Sequence, residues 1–239
     1  MNVVLEKILQ TKMVDDGKAQ LPLHSNMTQQ EGDLIDNVFR TVRPDASLEI
    51  GFAYGVSTMF VCDALLANGK AAKHTVIDAF QNSSWNGIGL KNIARAGYER
   101  FIDFREERSE IALPSLLAQG MRVQAAIIDG WHTFDHALVD FFYVNKMLAV
   151  GGIVIIDDTK WPSVSRLAKH ILTYPAYELF ATATEPDRST ARTKLRRALA
   201  RLTGSPKFRR KWDSPWDYSC MAFRKIAEDD RQWDWHVDF

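Results

Sequence analysis

Carboxylates recur where short apolar runs end. Glu49 lies in Leu48-Glu-Ile50, Asp78 follows Thr75-Val-Ile77, Asp129 follows Ala125-Ala-Ile-Ile128, and Asp157 and Asp158 follow Ile153-Val-Ile-Ile156. Acids gathered at one edge of a sheet can accept hydrogen bonds from ribose hydroxyls or hold a hard divalent cation. For a single Asp the simpler reading is a cap on the following helix, but several at one edge make a site. Between the first two acids runs Gly51-Phe-Ala-Tyr-Gly55, a G-x-A-x-G turn whose glycines lack the Cβ atoms that would keep a ligand off the backbone. Asp78 closes the next strand, where an acidic side chain meets a ribose, so the pair points to an adenosine-containing ligand. A G-x-G-x-x-G turn, the mark of NAD binding, is absent because position 56 is Val. His132 stands three residues beyond Asp129, and an imidazole with an unperturbed pKa of about 6.5 can take a proton at neutral pH. A structural histidine bonded to a carboxylate is an equal reading of it.

The elements that must position these groups alternate. Strands are expected at Leu48 to Ile50, Thr75 to Asp78, Ile102 to Glu106, Ala125 to Asp129 and Ile153 to Asp157, each separated from the next by a helical stretch. Their continuous apolar runs suit parallel strands covered on both faces, so an α/β, doubly wound sheet follows, with ligands at the carboxyl ends of the strands. Ahead of the series lie a helix from Val3 to Leu9, a polar loop holding His24, and a helix capped by Thr28 that ends before Arg43-Pro44. Tyr218 to Phe223 reads as a strand returning to the sheet.

Glu49-Ile-Gly-Phe-Ala-Tyr-Gly55, Ile128-Asp-Gly-Trp-His-Thr-Phe134 and Val150-Gly-Gly-Ile-Val-Ile-Ile-Asp-Asp158, in this order, resemble the class I S-adenosylmethionine-dependent methyltransferases. More narrowly they resemble the small-molecule O-methyltransferases related to catechol O-methyltransferase and to the macrocin-type antibiotic-sugar enzymes, over residues 25 to 180. The resemblance implies one Rossmann-like domain over 1–239, with a mostly parallel seven-stranded sheet, helices on both faces and an amino-terminal helical cap over 1–43. It implies S-adenosylmethionine as cofactor and Mg²⁺ or another divalent cation as assistant. Glu49, Gly51, Ala53, Tyr54 and Gly55 then surround the methionine part and Asp78 the ribose. Ser109 and Glu110 meet the adenine edge, Trp131 packs on the adenine ring, and Asp129, Asp157 and Asp158 hold the cation. His132 deprotonates the acceptor. Family members carry Asn where this chain has Asp158, so use of Asp129 and Asp158 as plain hydrogen-bond acceptors stays open, as does Trp131 in ordinary packing.

The chemistry fits these residue types. A sulfonium methyl is already electrophilic, so the protein mainly places an oxygen in line with it and removes the proton. The expected reaction is methyl transfer to a hydroxyl of a small molecule: sugar, polyketide or phenolic.

Composition is that of an ordinary soluble protein: 239 residues, 46% apolar, with 30 basic against 30 acidic side chains. Cys62 and Cys220 lack metal-site spacing and suit a reducing compartment; with no membrane-length apolar run, the expectation is cytoplasmic. Charge is segregated, however. Ten Lys or Arg and no acid fall between Arg188 and Lys211, within a basic excursion over about 185–212, with a basic amphipathic helix expected from Thr190 to Leu202 before Gly204-Ser-Pro206. A solvated excursion is the first reading of it, and a lid for an anionic acceptor the second. Contact with nucleic acid or an anionic membrane surface is the third, and methylation of RNA or a cell-envelope saccharide docked by this segment is the alternative function. Four tryptophans in the last thirty residues pack on the domain or form a homo-oligomer interface. A nucleoside-binding protein without turnover is the competing class.

Overall fold

The computed structural model describes residues 1–24, 27–69, 71–184 and 216–239. The basic segment from Arg188 to Lys211 therefore lies outside the described residues, with the helix expected in it and Trp212. The chain opens with α1 (Val3–Thr11), a hairpin of β1 (Met13–Asp15) and β2 (Gln20–Pro22), and α2 (Gln29–Val42). There follow β3 (Ala46–Ile50), α3 (Val56–Asn68), β4 (Lys73–Ile77), α4 (Ile88–Ala96), β5 (Ile102–Arg105) and α5 (Ser109–Ala118). The last part comprises β6 (Val123–Ile128), α6 (Phe134–Met147), β7 (Leu148–Ile156), α7 (Pro162–Leu172), β8 (Tyr177–Ala183) and β9 (Cys220–Lys225).

Seven strands form one sheet in the order β5-β4-β3-β6-β7-β9-β8. The five from β5 to β7 run parallel, and β9 is antiparallel to both of its neighbours. The apolar runs alternate in direction, as strand geometry requires. Ala125, Ile127, Ile153 and Ile155 face a core shared with Ile35 and Phe39 of α2, Met59 and Leu65 of α3 and Ile93 of α4. Ala126, Ile128, Val154 and Ile156 face the opposite core, with Leu113 of α5, Phe141 and Val144 of α6 and Leu167 of α7. Helices on both faces thus bury both sides of the central strands, which is why their sequences read as unbroken apolar runs. Among the described residues no helix is long and apolar enough to cross a membrane.

Two elements differ from the sequence expectation. The polar loop before α2 folds as the hairpin β1–β2, turned by Asp15 accepting from Gly17 N and Asp16 from Lys18 N and Ala19 N. Its strands have three residues each, and only Val14 is buried, so no alternation is long enough to read. β8, the seventh strand of the expected sheet, had no position assigned from sequence; it pairs with β9 at the sheet edge, and only its end residues Tyr177 and Ala183 are buried.

The sheet order reverses between β3 and β6, which opens the crevice for ligands at their carboxyl ends. There the two strand-end loops touch backbone to backbone. Asp129 N donates to Ile50 O, and Gly51, at φ +94°, lies so close that an added Cβ would stand 1.9 Å from Asp129 O. Gly51→Ala therefore combines a left-handed backbone with a clash no rotamer relieves, and is expected to cost about 3 kcal/mol or more. Gly120→Ala, with φ +80° and open space around it, should cost only about 1 kcal/mol. Urea midpoints of the two variants against the parent check this; equal losses would mean that the loop contact is not constraining.

Candidate active site

The glycine turn between β3 and α3 is held from beneath by two acids with different tasks. Glu49 is fully buried: its carboxylate accepts from Ser57 Oγ, Thr58 Oγ1 at 2.6 Å and His74 Nε2 at 2.8 Å. The other nitrogen of His74 bonds Ser47 Oγ at 2.8 Å. Expected to surround the methionine part of a cofactor, Glu49 instead lies behind the turn with no exposed surface, its oxygens taken by α3 and β4. The reason is alternation: Leu48 and Ile50 face one core, so Glu49 points to the other, under the first turn of α3.

Asp78, just past β4, reaches across to the turn. Its Oδ2 accepts from Phe52 N and Ala53 N at 3.1 and 2.9 Å, and its Oδ1 from Phe80 N at 2.7 Å. These bonds help hold Ala53 at φ +46°, a conformation a non-glycine residue enters only when its surroundings fix it. A carboxylate has about four lone-pair directions, so one is left for a ribose hydroxyl. Gly55, at φ +74°, is the N-cap of α3, and Tyr54 packs edge-on against Trp85 at 5.0 Å. Trp131, 58% exposed, stands beside Phe80 and His136 with ring centres 6.0 and 6.3 Å away. It is therefore a surface wall near Asp78 rather than part of the core. Ser109 and Glu110 open α5, next to α6, and His24 is exposed in its loop.

Beyond β6 and β7 the acids converge. Ligand atoms of Asp129, His132 and Asp158 all lie within 4.8 Å of one another. His132 Nε2 stands 3.4 Å from Asp129 Oδ1 and 3.1 Å from Asp158 Oδ2, and each of these side chains keeps part of its surface open. The trio at this mouth is thus Asp129, His132 and Asp158, where the sequence grouped Asp129 with Asp157 and Asp158. Successive residues at a strand end point to opposite sides, and Asp158, at φ +53°, has already left the strand. Asp157 turns inward and is 8% exposed, and its Oδ1 has no hydrogen-bond partner among the described residues.

Electrostatics follow from this crowding. Burial pushes the Asp129 carboxyl up to about 6; the bond from His132 opposes the shift and the charge of Asp158 adds to it. Asp157 is raised well above the usual carboxylate range by burial, then by the charges of Asp129, Glu31 and Asp158. For His132 burial works against the charged form, but the bond to Asp129 and the charges of Asp158 and Asp129 outweigh it and the pKa rises. A half-open group of acids and one imidazole, with the buried Asp157 and its unpartnered oxygen behind it, can serve as a donor set for a divalent cation.

Several contributors were not expected from sequence. Glu31 completes a capping box with Thr28 and is buried close enough to press its charge on Asp157. The spacing Thr28-x-x-Glu31 marks the cap but not this second environment. Trp161 stacks on His132, ring centres 5.7 Å apart at 26°, while Ser163 Oγ donates to the His132 carbonyl. Nothing in the spacing of these residues from His132 announces either contact.

Residues 48–159 match a family model described as a methyltransferase domain. A probable caffeoyl-CoA O-methyltransferase of Arabidopsis thaliana is 30% identical over 139 residues, 54% of this chain and 54% of that protein. The caffeoyl-CoA O-methyltransferase of Stellaria longipes is 31% identical over 139 residues, covering 54% and 52%. The chain thus spans about half the length of the curated relatives it matches. Among solved structures, an O-methyltransferase from Bacillus cereus in complex with SAH superposes with a TM-score of 0.65 at 17% identity, covering 94% of this chain and 92% of that one. TomG of Streptomyces achromogenes, an O-methyltransferase solved with SAM, gives 0.63 at 16%, covering 95% and 90%. At such identities the likeness establishes the fold, and the sequence match falls on the glycine turn and the strand-end acids. Residues 48–159 thus match a methyltransferase domain, and the fold is that of these solved O-methyltransferases.

Proposed function

We propose that the protein transfers a methyl group from S-adenosylmethionine to a hydroxyl oxygen of a small molecule at the crevice between β3 and β6, as one domain working in the cytoplasm. The observation that carries this is the juxtaposition, through the Gly51–Asp129 contact, of a glycine turn suited to a nucleoside cofactor with an open mouth formed by Asp129, His132 and Asp158. Gly51, Ala53, Tyr54 and Gly55 shape the methionine side, Asp78 offers its remaining lone pair to the ribose, and Trp131 covers the adenine.

Asp129 and Asp158 at the mouth, with Asp157 behind them, would hold a divalent cation such as Mg²⁺. The orphaned Asp157 oxygen and the concentration of negative charge support that fit. When bound, such an ion lowers the pKa of an acceptor hydroxyl. His132 takes the proton: its Nε2 faces the mouth, and its raised pKa makes it a stronger base than a free imidazole. The acceptor reading that the walls favour is a planar phenolic. Trp161, itself 41% exposed, stacks on His132 and adds an aromatic wall at the mouth, and the relatives named above carry the name caffeoyl-CoA O-methyltransferase. The competing class is a nucleoside-binding protein without turnover.

Methylation of a dihydroxyphenolic acceptor, followed with and without Mg²⁺ or Mn²⁺, tests the reading. His132→Ala is expected to lower kcat by about 10²-fold or more. Asp158→Ala should weaken cation binding by at least about 10-fold while binding of S-adenosylhomocysteine stays within about threefold. Full activity in both variants would remove the mouth from the chemistry, and S-adenosylhomocysteine binding with no turnover on any acceptor would favour the pure binder.

Proton linkage gives a second check. Asp129 in the cation-free protein holds its proton up to about pH 6, so below that value proton and cation compete for the same oxygen. Cation affinity is therefore expected to rise as pH increases from about 5 to 7.5, with protons released on binding near pH 6. Titration calorimetry in two buffers of different ionisation enthalpy reads the released protons directly; pH-independent affinity without release would place the cation elsewhere.

A further inference from the structure

The cap that starts α2 carries a charge it does not need. Glu31 Oε2 accepts from Thr28 N at 2.7 Å and from Thr28 Oγ1 at 2.8 Å, closing the capping box. A glutamine in that position closes the same box, so the cap calls for an acceptor and not for a carboxylate. Glu31 is nevertheless only 4% exposed, and its bonds to Thr28 bring no counter-charge. A charge buried in this way is costly, and capping does not account for it.

The seat of the helix keeps Glu31 in place. Gly32, the next residue, lies so close to Phe60 of α3 that an added Cβ would stand 2.2 Å from the ring. From there α2 packs across β6, β7, β8 and β9, with Ile35 and Phe39 in the core that Ile155 and Cys220 also line. Asp157 follows Ile155 by two residues and so points to the same side, and the register that sets Ile156 beside Met221 brings Cys220 next to it. Two buried groups feel Glu31 there. Its charge helps to raise the Asp157 carboxyl and, with that of Asp157, the Cys220 thiol, burial being the larger cause in both. Asp157 is itself 8% exposed, with Oδ1 unpartnered among the described residues. Two buried acids that repel each other, one with an unanswered oxygen, weaken the bare fold and favour a cation.

We infer that Glu31 adds its charge to the cation site from behind Asp157 and so ties cation affinity to the seating of α2, an inference that rests on the cation reading above. Glu31 acts through Asp157 and is a positioning residue rather than a catalytic one. The two effects are reciprocal. Whatever affinity a cation gains from Glu31 in its buried seat returns as a firmer hold on the first turn of α2, by the same factor.

The test is calorimetric titration of the full chain with Mn²⁺ alone, in the parent protein and in Glu31→Gln, which keeps the capping box and removes the charge. Glu31→Gln is expected to weaken Mn²⁺ binding about fivefold or more. Its urea midpoint without cation should equal or exceed that of the parent, because the repulsion with Asp157 is gone. In hydrogen exchange, saturating Mn²⁺ should slow the amides from Gly32 to Ile35 about fivefold in the parent protein and leave them unchanged in Glu31→Gln. If that variant does not fold, exchange in the parent protein decides alone: Mn²⁺ that binds without slowing those amides overturns the link. Unchanged Mn²⁺ affinity in Glu31→Gln also overturns it and returns Glu31 to the cap, with the cation reading intact. A parent protein that binds no Mn²⁺ overturns the cation reading and this inference with it.

Discussion

The fully buried bond between Glu49 and His74 is the constraint on which the rest of the site depends. It joins three elements at one point: Glu49 on β3, His74 on β4 and, through Ser57 and Thr58, the first turn of α3. A carboxylate with no exposed surface is tolerable only when its oxygens are answered, and here three donors answer them. Breaking a buried pair by removing one partner typically costs about 3–5 kcal/mol, far more than such a pair adds over an apolar substitute. The network is therefore better understood as specifying geometry than as adding stability. It fixes where α3 starts, and with it the five-residue turn that must pass from β3 to α3 in left-handed conformations at Gly51, Ala53 and Gly55.

Given that turn, the acidic half of the site follows from the sheet. β3 and β6 are neighbours in register, Ile50 beside Ile128, so the residues that follow them must meet. Gly51 lies against the Asp129 carbonyl, and the two loops share one backbone surface. β7 lies next in line, Ile128 beside Ile156, which brings Asp157 and Asp158 to the same edge. Repulsion among these acids opposes the arrangement. It is offset in part by His132, which answers Asp129 and Asp158, while Asp157 stays close to Asp129 and Glu31. The fold keeps these acids together although separating them would favour its own stability, and that conflict between local energy and arrangement is characteristic of a functional site.

Much of this was legible because strand ends are fixed by apolar runs. Ala125 to Ile128 and Ile153 to Ile156 locate Asp129, Asp157 and Asp158 at one edge whatever the details of the loops, and the G-x-A-x-G spacing locates the turn. Thr28, as a cap, located the start of α2. What the sequence hid was direction. Whether Glu49 faces the crevice or the core, and which of two adjacent aspartates looks outward, turns on a single residue of register, and apolar spacing read by eye does not resolve one residue at a strand's end. Contacts between segments far apart in the chain were equally hidden: Asp140 beside Ser109 and Trp161 over His132 each join elements whose individual patterns say only that they are helices or loops.

The placement of the outward groups suggests how such a site divides its labour. The glycine-turn side is tied into the sheet: Glu49 by His74, Asp78 by the amides of Phe52 and Ala53, Gly51 by Asp129. The groups at the mouth come from loops and helix starts, with His132 before α6 and Trp161 before α7, pinned by a ring stack and by Ser163. A rigid half built on strands can stay constant for one cofactor, because any shift there must move the sheet. A half built on loops can change its walls without touching that frame. On the proposed reading the reacting oxygen lies where the halves meet, beside Asp129, whose backbone touches the glycine turn and whose side chain faces the mouth. The position of Asp129 is therefore set by the glycine turn, and its charge state by burial together with His132 and Asp158. If the proposed methyl transfer holds, that dual attachment lets one fixed donor serve acceptors selected by the loops.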